Sequence, residues 1–506
     1  MKVSELQEVH PYYTKHVTEW RFLLACYEGA KELISLGYLK QNERESTANY
    51  ERRLEEAYGF GYSKSVIDLL CFYLFKKPVK RDLGDIQNDE QWNAFSEDCN
   101  LYGDDLDTFL HTQARYASIM GHVGILVDKA SVEFENKQAE LEAGVYPYLA
   151  SYFPTAILDW KFERDEYNRP FLAYLKLKDD DDKYRLWYPD KWEVYEEPEV
   201  PAPPVPKAAN QQTTDTGTIS TAGSDLEAEL VDSGENPLGA IPFVWLYNVR
   251  SKTIPLGTSD IHDVGRIDVS IMCNLSQGEE IISYAAFPMM RKPMQEAGAP
   301  SGPDEVGVTA VLEFDPENPE SKPDWLDAQV AEPIDAILTW IGRKVEEIYR
   351  AANTGGMAST EIQTTAKSGV ALRTEFQLLN SKLVSKATNL EKAEVKLIDF
   401  WLQWQENEEA MDKVTIERER TYDIENLAED LENALTSMTI VKARKFLDAV
   451  RKQVVRRMLP GYTDEQISEL DDEIENMEDM PPVSEAAFQP GAGQPFVAPE
   501  PEPEEE

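Results

Sequence analysis

The sequence predicts a multidomain α+β protein, and three observations carry that prediction. Apolar residues recur at three- and four-residue steps over long stretches of the second half of the chain, the period of an amphipathic helix. Between Tyr146 and Tyr195 the period changes to two, the alternation of strands. From Pro198 to Pro237 the chain is dominated by Pro, Thr, Ser, Gly and Ala, which reads as an exposed, mobile insert between strands. With 506 residues, 42% of them hydrophobic, the chain is long enough for two to four domains with buried cores.

Residues 20–75 read as helices. "YEGAKELISL" and "YERRLEEAYGFGYSKSVIDLLCFYLFKKPV" carry helical stripes, and Pro78 marks the exit of the second. "DDLDTFLHTQARYASIM" is a third, stopping at Gly121 and leading into a short strand, "GILVD". "FLAYLKLK" and "KYRLWYP" flank a turn at Asp179–Asp182, and "KWEVYEE" follows. Four consecutive aspartates could hold calcium, but they also suit a hairpin tip whose charge blocks edge pairing. After the insert, "AIPFVWLYNV" is expected to resume the sheet.

Two helices come next. Ile261, Val264, Ile267, Ile271, Leu275, Ile281 and Ala285 form the stripe of the first, with Thr258 or Ser259 as its N-cap. At 1.5 Å per residue it would be roughly 40 Å long. The second opens with Pro333 in its first turn and carries Ile334, Ile337, Leu338, Ile341, Val345 and Ile348. Pro288 to Ala331 lies between them, rich in Pro and Gly, with one convincing strand, "VTAVLEF".

A nearly neutral stretch, "NTGGMASTEIQTTAKSG" (Asn353–Gly369), joins the second helix to the longest helical pattern of the chain. There Leu372, Phe376, Leu379, Leu383, Leu390, Leu397 and Trp401 hold a near-heptad stripe. "KVTIERERTY" alternates as a strand, and helical patterns follow in "IENLAEDLENALTSM" and "IVKARKFLDAVRKQVVRRML". From Gly461 to Glu506 there are fifteen Asp or Glu and no Lys or Arg, an acidic tail whose end, "PEPEPEEE", is expected to be disordered.

Charge and motif content narrow the function. A net charge of −44 argues against a broad grip on nucleic acid, which needs clustered Lys and Arg, and equally suits a surface that must not hold DNA. The four cysteines and five histidines are scattered, with no C-x-x-C pair, so neither a disulfide framework nor a zinc site is expected. No phosphate-binding G-x-x-x-x-G-K-[ST] loop, G-x-S-x-G elbow, H-E-x-x-H pair or G-x-G-x-x-G turn is present. No active site, cofactor or metal is therefore expected. The N-terminus has no apolar stretch of signal-peptide type, and the longest apolar run, Val66–Phe75, is about half the ~20 residues of a membrane span. A soluble cytoplasmic protein is expected, with no membrane partner.

Several stretches, and their order, resemble the portal proteins, or head-to-tail connectors, of tailed double-stranded DNA bacteriophages. "SKSVIDLLCFYLFKKPV" resembles the N-terminal helix and turn of that family, and "ARYASIMGHVGILVD" its helix-Gly-strand unit. "GTSDIHDVGRIDVSIMCNLSQGEEIISYAAFP" resembles the first stem helix, and "SGVALRTEFQLLNSKLVSKATNLEKAEVKLIDF" the start of the long wing helix. "KVTIERERTYDIENLAEDLENALTSMTI" is similar to the strand leading into the crown. The likeness runs from about Trp20 to Glu475; the Pro/Thr-rich insert has no counterpart in it.

The resemblance implies a ring, usually of twelve copies, at a capsid vertex, through which DNA is packaged and ejected. Residues 1–257 would form the wing, 258–287 and 332–352 the stem, 288–331 the clip, 370–422 the long wing helix and strand, 423–475 the crown, and 476–506 a disordered acidic tail. Residues 353–369 would be a tunnel loop, facing the duplex with Thr354, Gly355, Gly356, Met357, Ser359, Thr360, Gln363 and Lys367. In the crown Arg444, Lys445, Arg451, Lys452, Arg456 and Arg457 form a basic island, which either stabilises its helix against nearby acids or touches packaged DNA. In the clip Arg291, Lys292, Asp304 and Trp325 are candidates for docking the terminase large subunit and then the head-tail adaptor. Capsid and scaffolding proteins would be further partners, and the virion the final location. A helical scaffold or adaptor without a tunnel is the alternative, and a metal-dependent nuclease using acidic clusters such as "EDCNLYGDDLD" is the weaker one.

Overall fold

The computed structural model describes residues 1–43, 45–132, 134–135, 137–180, 182–198, 227–286, 289–291, 324–326, 331–352, 369–422, 434–438, 440–441, 443–458 and 464–476. The chain is mixed α+β, and it divides into two compact units, Met1–Tyr422 and Asp423–Glu506.

The first unit opens with helices α1 (Val3–Gln7), α2 (Pro11–Glu28), α3 (Ala30–Ser35), α4 (Thr47–Glu56) and α5 (Tyr62–Leu74). Strand β1 (Lys80–Asp82), α6 (Glu90–Glu97) and α7 (Leu106–Met120) follow. Asp105 caps α7 by accepting from the Thr108 N–H at 2.8 Å, and Gly121, at φ +96°, ends it. Strand β2 (His122–Asp128) is buried along its whole length because it is the middle strand of a three-stranded sheet, β3-β2-β9. Its neighbours are β3 (Tyr148–Tyr152) and β9 (Phe243–Tyr247), and α8 (Lys137–Glu142) lies between β2 and β3 in sequence. Gly124 is obligatory there, because a Cβ would stand 2.0 Å from the Phe243 ring that crosses it.

Strands β4 (Ile157–Arg164), β5 (Pro170–Lys178), β6 (Lys183–Trp187), β7 (Lys191–Glu196) and β8 (Glu229–Glu235) form a separate antiparallel meander. Two sequence expectations are corrected at this point. It is β8 that resumes the meander, while "AIPFVWLYNV" supplies β9 of the other sheet. The tract Pro198–Pro237 is therefore not an insert throughout, since Glu229–Glu235 pairs with β7. Its acidic, mostly exposed residues hide the strand from pattern reading, because an exposed edge has no apolar side to alternate.

After the short hairpin β10 (Val249–Arg250) and β11 (Gly257–Thr258) comes α9 (Val264–Ala286). The helix starts later than its stripe suggests. Thr258 is held in β11 opposite Val249, and the Ser259 hydroxyl accepts from the Ile261 N–H in a turn, so Ile261 is buried without being helical. Strands β12 (Met289–Arg291) and β13 (Asp324–Leu326) pair antiparallel, and α10 (Ala331–Ala351) returns. Pro333 is tolerated in the first turn of α10, where its missing N–H has no helical partner to lose. The 36-residue α11 (Gly369–Trp404) buries Leu379, Leu383, Leu390, Leu397 and Trp401, so this part of the stripe packs within its own subunit. Strand β14 (Thr415–Glu417) is shorter than the alternation in "KVTIERERTY" suggests and pairs with β1, whose "KRD" carries no strand pattern.

The second unit contains α12 (Arg444–Met458) and α13 (Asp464–Asn476), which pack on each other. Helix α13 falls inside the acidic stretch that begins at Gly461.

Candidate functional site

Helices α9 and α10 form an out-and-back arm. Lys344 Nζ meets the Ser270 hydroxyl at 2.7 Å, Ile337 faces Gly278, and Met289 pairs with Leu326. The chain thus travels away along α9, turns beyond β12, and returns along α10.

The root of the arm is set in the core. Gly265 packs against Phe22 and Cys26, where a Cβ would come within 2.9 Å of the Cys26 sulfur. The Asp268 carboxylate accepts from the Ser63 N–H at 2.8 Å, and its burial raises its pKa above the ordinary range. Tyr62 meets Tyr349 edge-on. Further out, α4 braces the arm. Arg53, buried and paired with Glu45 at 2.7 Å, lies 3.4 Å from the Ser276 hydroxyl; Arg52 pairs with Glu280, and the Tyr58 hydroxyl donates to Glu279.

Beyond this brace the arm loses its cover. Among the described residues of α9 after Ser276, and of α10 before Ile341, none is buried. Ile282, Leu338 and Trp340 are 46%, 57% and 52% exposed. Leu338 belongs to the apolar stripe read from sequence, yet it points out of the subunit. The stripe is wider than the core-facing side of α10, and this signal was available in the sequence as an excess of apolar residues.

The long helix α11 is fixed by buried charge. Asp260 pairs with Lys382 at 3.1 Å and with Lys386, which also donates to Ser118. Burial alone would raise the Asp260 pKa, but Lys386 and Lys382 hold it below its ordinary value. Glu394, fully buried, accepts from Arg81 and Arg418, both at 2.5 Å, and Glu391 accepts from the Arg418 N–H at 2.7 Å. These pairs join α11 to β1, to the turn that precedes α9 and to the segment after β14. Sequence reasoning missed them, because partners 126 or 313 residues apart leave no local pattern.

The residues singled out from sequence fall into three groups. Thr354, Gly355, Gly356, Met357, Ser359, Thr360, Gln363 and Lys367 lie outside the described residues; one end of that segment is tied down by Ile348 and Ala352, both buried. Lys292 and Asp304 also lie outside them. Arg291 stands opposite Asp324 and Trp325 opposite Met290 in the β12–β13 ladder, so two of the four docking candidates come close together. The basic island lies on α12. Arg456 pairs with Asp471 at 2.6 Å, Lys452 with Glu475, and Arg451 with Asp448 at 3.4 Å; Arg444 donates to the Glu475 carbonyl at 3.2 Å. Lys445 is exposed, and Arg457 is helical. Much of the island is thus engaged by acids of its own unit.

Among the described residues no cluster of His, Cys, Asp or Glu is arranged to hold a metal ion, and no helix is long and apolar enough to cross a membrane. Asp179, at the aspartate-rich turn, is taken up by Arg185 at 2.8 Å and the Tyr152 hydroxyl at 2.7 Å. No family model matches this chain, and no curated protein sequence does.

Proposed function

We propose that this chain is the subunit of a portal-type ring, a conduit for double-stranded DNA at a virion vertex. The observation that supports this reading is the arm, which has a root locked in the core and leaves Ile282, Leu338 and Trp340 uncovered further out. Fully burying an exposed aliphatic side chain gives about 1.5–3 kcal/mol, and these half-exposed residues stand to gain part of that on being covered. Flanking copies of the same chain, each offering its own arm, would cover these residues on closing a ring.

On this reading α9 and α10 are the stem, the β12–β13 pair is the base of a clip that docks the packaging terminase and later the head-tail adaptor, and residues 353–369 face the tunnel. The chemistry of that loop suits a passing duplex. It has one acid, Glu361, and one base, Lys367, among small and polar residues, so it offers contact without the ion pairs that would hold phosphate. The acidic surplus of the chain works in the same direction, keeping DNA from adhering.

The test is the double substitution Leu338→Glu with Trp340→Glu, imaged by negative stain beside the parent protein. The parent is expected to form closed rings with a central hole, and the variant to remain as folded single subunits by circular dichroism. Rings unchanged by the two charges would remove the arm from the assembly surface.

A further inference from the structure

Strand β9 is the outer strand of its sheet, and it borders a cleft of about 380 Å³. The ladder to β2 is bounded by bonds from the Val127 N–H to the Pro242 carbonyl and from the Asn248 N–H to the Gly121 carbonyl, both 2.9 Å. Antiparallel bonding alternates, so these two bonds place Trp245 and Tyr247 with their N–H and C=O groups turned away from β2. Among the described residues nothing pairs with that free edge. An open edge is a template for another strand.

The walls of the cleft are unlike the rest of the protein. In a chain with 94 acids and 50 bases, no acid lines it, whereas Arg250, Lys252, Lys392 and Lys396 do. Among the described residues none of the four is in an ion pair; Arg250 lies over the Tyr247 ring, 4.9 Å from its centre. Phe162 and Pro170 from β4 and β5, with the exposed Ile254, add apolar surface. Lys392 and Lys396 are one helical turn apart, about 6 Å along α11. Alternate side chains of an extended strand repeat at about 6.6 Å, nearly the same interval.

We propose that this edge is a docking site for an extended acidic peptide segment of a partner protein, which adds to β9 as a further strand. Main-chain bonds to Trp245 and Tyr247 hold it, alternate carboxylates meet Lys392 and Lys396 or Arg250 and Lys252, and an apolar residue packs beside Phe162 and Ile254. This is strand addition with charge providing the selectivity. The site stands independently of the ring reading, because it needs neither a tunnel nor a second copy.

The probe is a fluorescein-labelled peptide, Phe-Thr-Glu-Thr-Glu-Thr-Glu, titrated with the full-length protein and read by fluorescence anisotropy at low salt. Saturable binding is expected. Lys392→Glu with Lys396→Glu, both exposed, should weaken it at least tenfold with an unchanged circular dichroism spectrum. The same peptide N-methylated on every threonine and glutamate keeps its charge but cannot donate strand bonds from either edge, and it too should bind at least tenfold more weakly. The proposal is overturned by no binding, by equal binding of the N-methylated peptide, or by an oligothymidylate of equal charge binding more tightly through the same lysines. It is also overturned if charge reversal changes only self-association, seen by sedimentation, with no effect on the peptide.

Discussion

Charges of the same kind do different work on α11 and on α12. On α11, Lys386 and Glu394 are buried and meet Asp260, Arg81 and Arg418 from distant parts of the chain. On α12, Arg456 is well exposed and Lys452 partly so, and they meet Asp471 and Glu475 of the helix that follows. A buried pair strands a charge when either partner is lost, whereas an exposed pair is replaced by water at little cost. The difference teaches where rigidity is invested. The long helix is pinned to the body that holds the root of the arm, and the basic island of α12 is a surface feature.

The largest expected effect breaks this comparison at its strongest point. Asp260→Ala should destabilise the protein by about 3–5 kcal/mol in chemical denaturation, because Lys386 is left buried without its partner. A loss below about 1 kcal/mol would mean that the pair is no different from those on α12. A sharper version replaces Asp260 and Lys386 together with Leu and Met. That pair of changes should recover most of the stability lost by Asp260→Ala, since the cost lies in the unpaired charge and not in the missing attraction.

The second effect is read in pH. His122, enclosed beside Trp20 and Trp245, has its pKa lowered by burial, and further by His16, to about 3. In the unfolded chain it protonates near 6.5, so between those values the unfolded state binds the extra proton. Stability from this group is complete above about pH 6.5 and falls as pH drops, by about 1.4 kcal/mol per unit. The lowered Asp260 carboxyl loses its own contribution only at more acidic pH, near and below its ordinary value of 3.8. His122→Asn should therefore flatten the stability profile between pH 6 and pH 4.5 while leaving the acid limb intact. An unchanged slope in that window would show that His122 is not held neutral.

The smallest effect belongs to α12. Arg456→Gln should cost under about 1 kcal/mol, and added salt should reduce even that. If it costs as much as Asp260→Ala, the basic island carries structure and the contrast between the two helices fails.

Much of this architecture can be read from sequence where one residue type repeats locally. The stop of α7 at Gly121, the strand "GILVD", and the stripes of α9, α10 and α11 all follow from local sequence pattern. Reading failed where the determinant is distant or the segment is exposed. Strand β1 exists because "KRD" finds β14 more than 300 residues away, and β8 has no buried side to reveal it. The same holds for the sites. The excess of apolar residues on α10 was visible, but only the packed arm separates buried Ile341 from exposed Leu338. The acid-free cleft beside β9 gathers its cations from two segments over 130 residues apart, so no window of sequence contains it.

The ring reading rests on the arm being covered by copies of itself, and the mass of the native particle tests that most directly. Native mass spectrometry of the purified protein should give a single closed assembly near twelve times the 57.5 kDa subunit. A monomer or dimer that persists as concentration rises would contradict the account, and would leave Leu338 and Trp340 without the partner it assigns them.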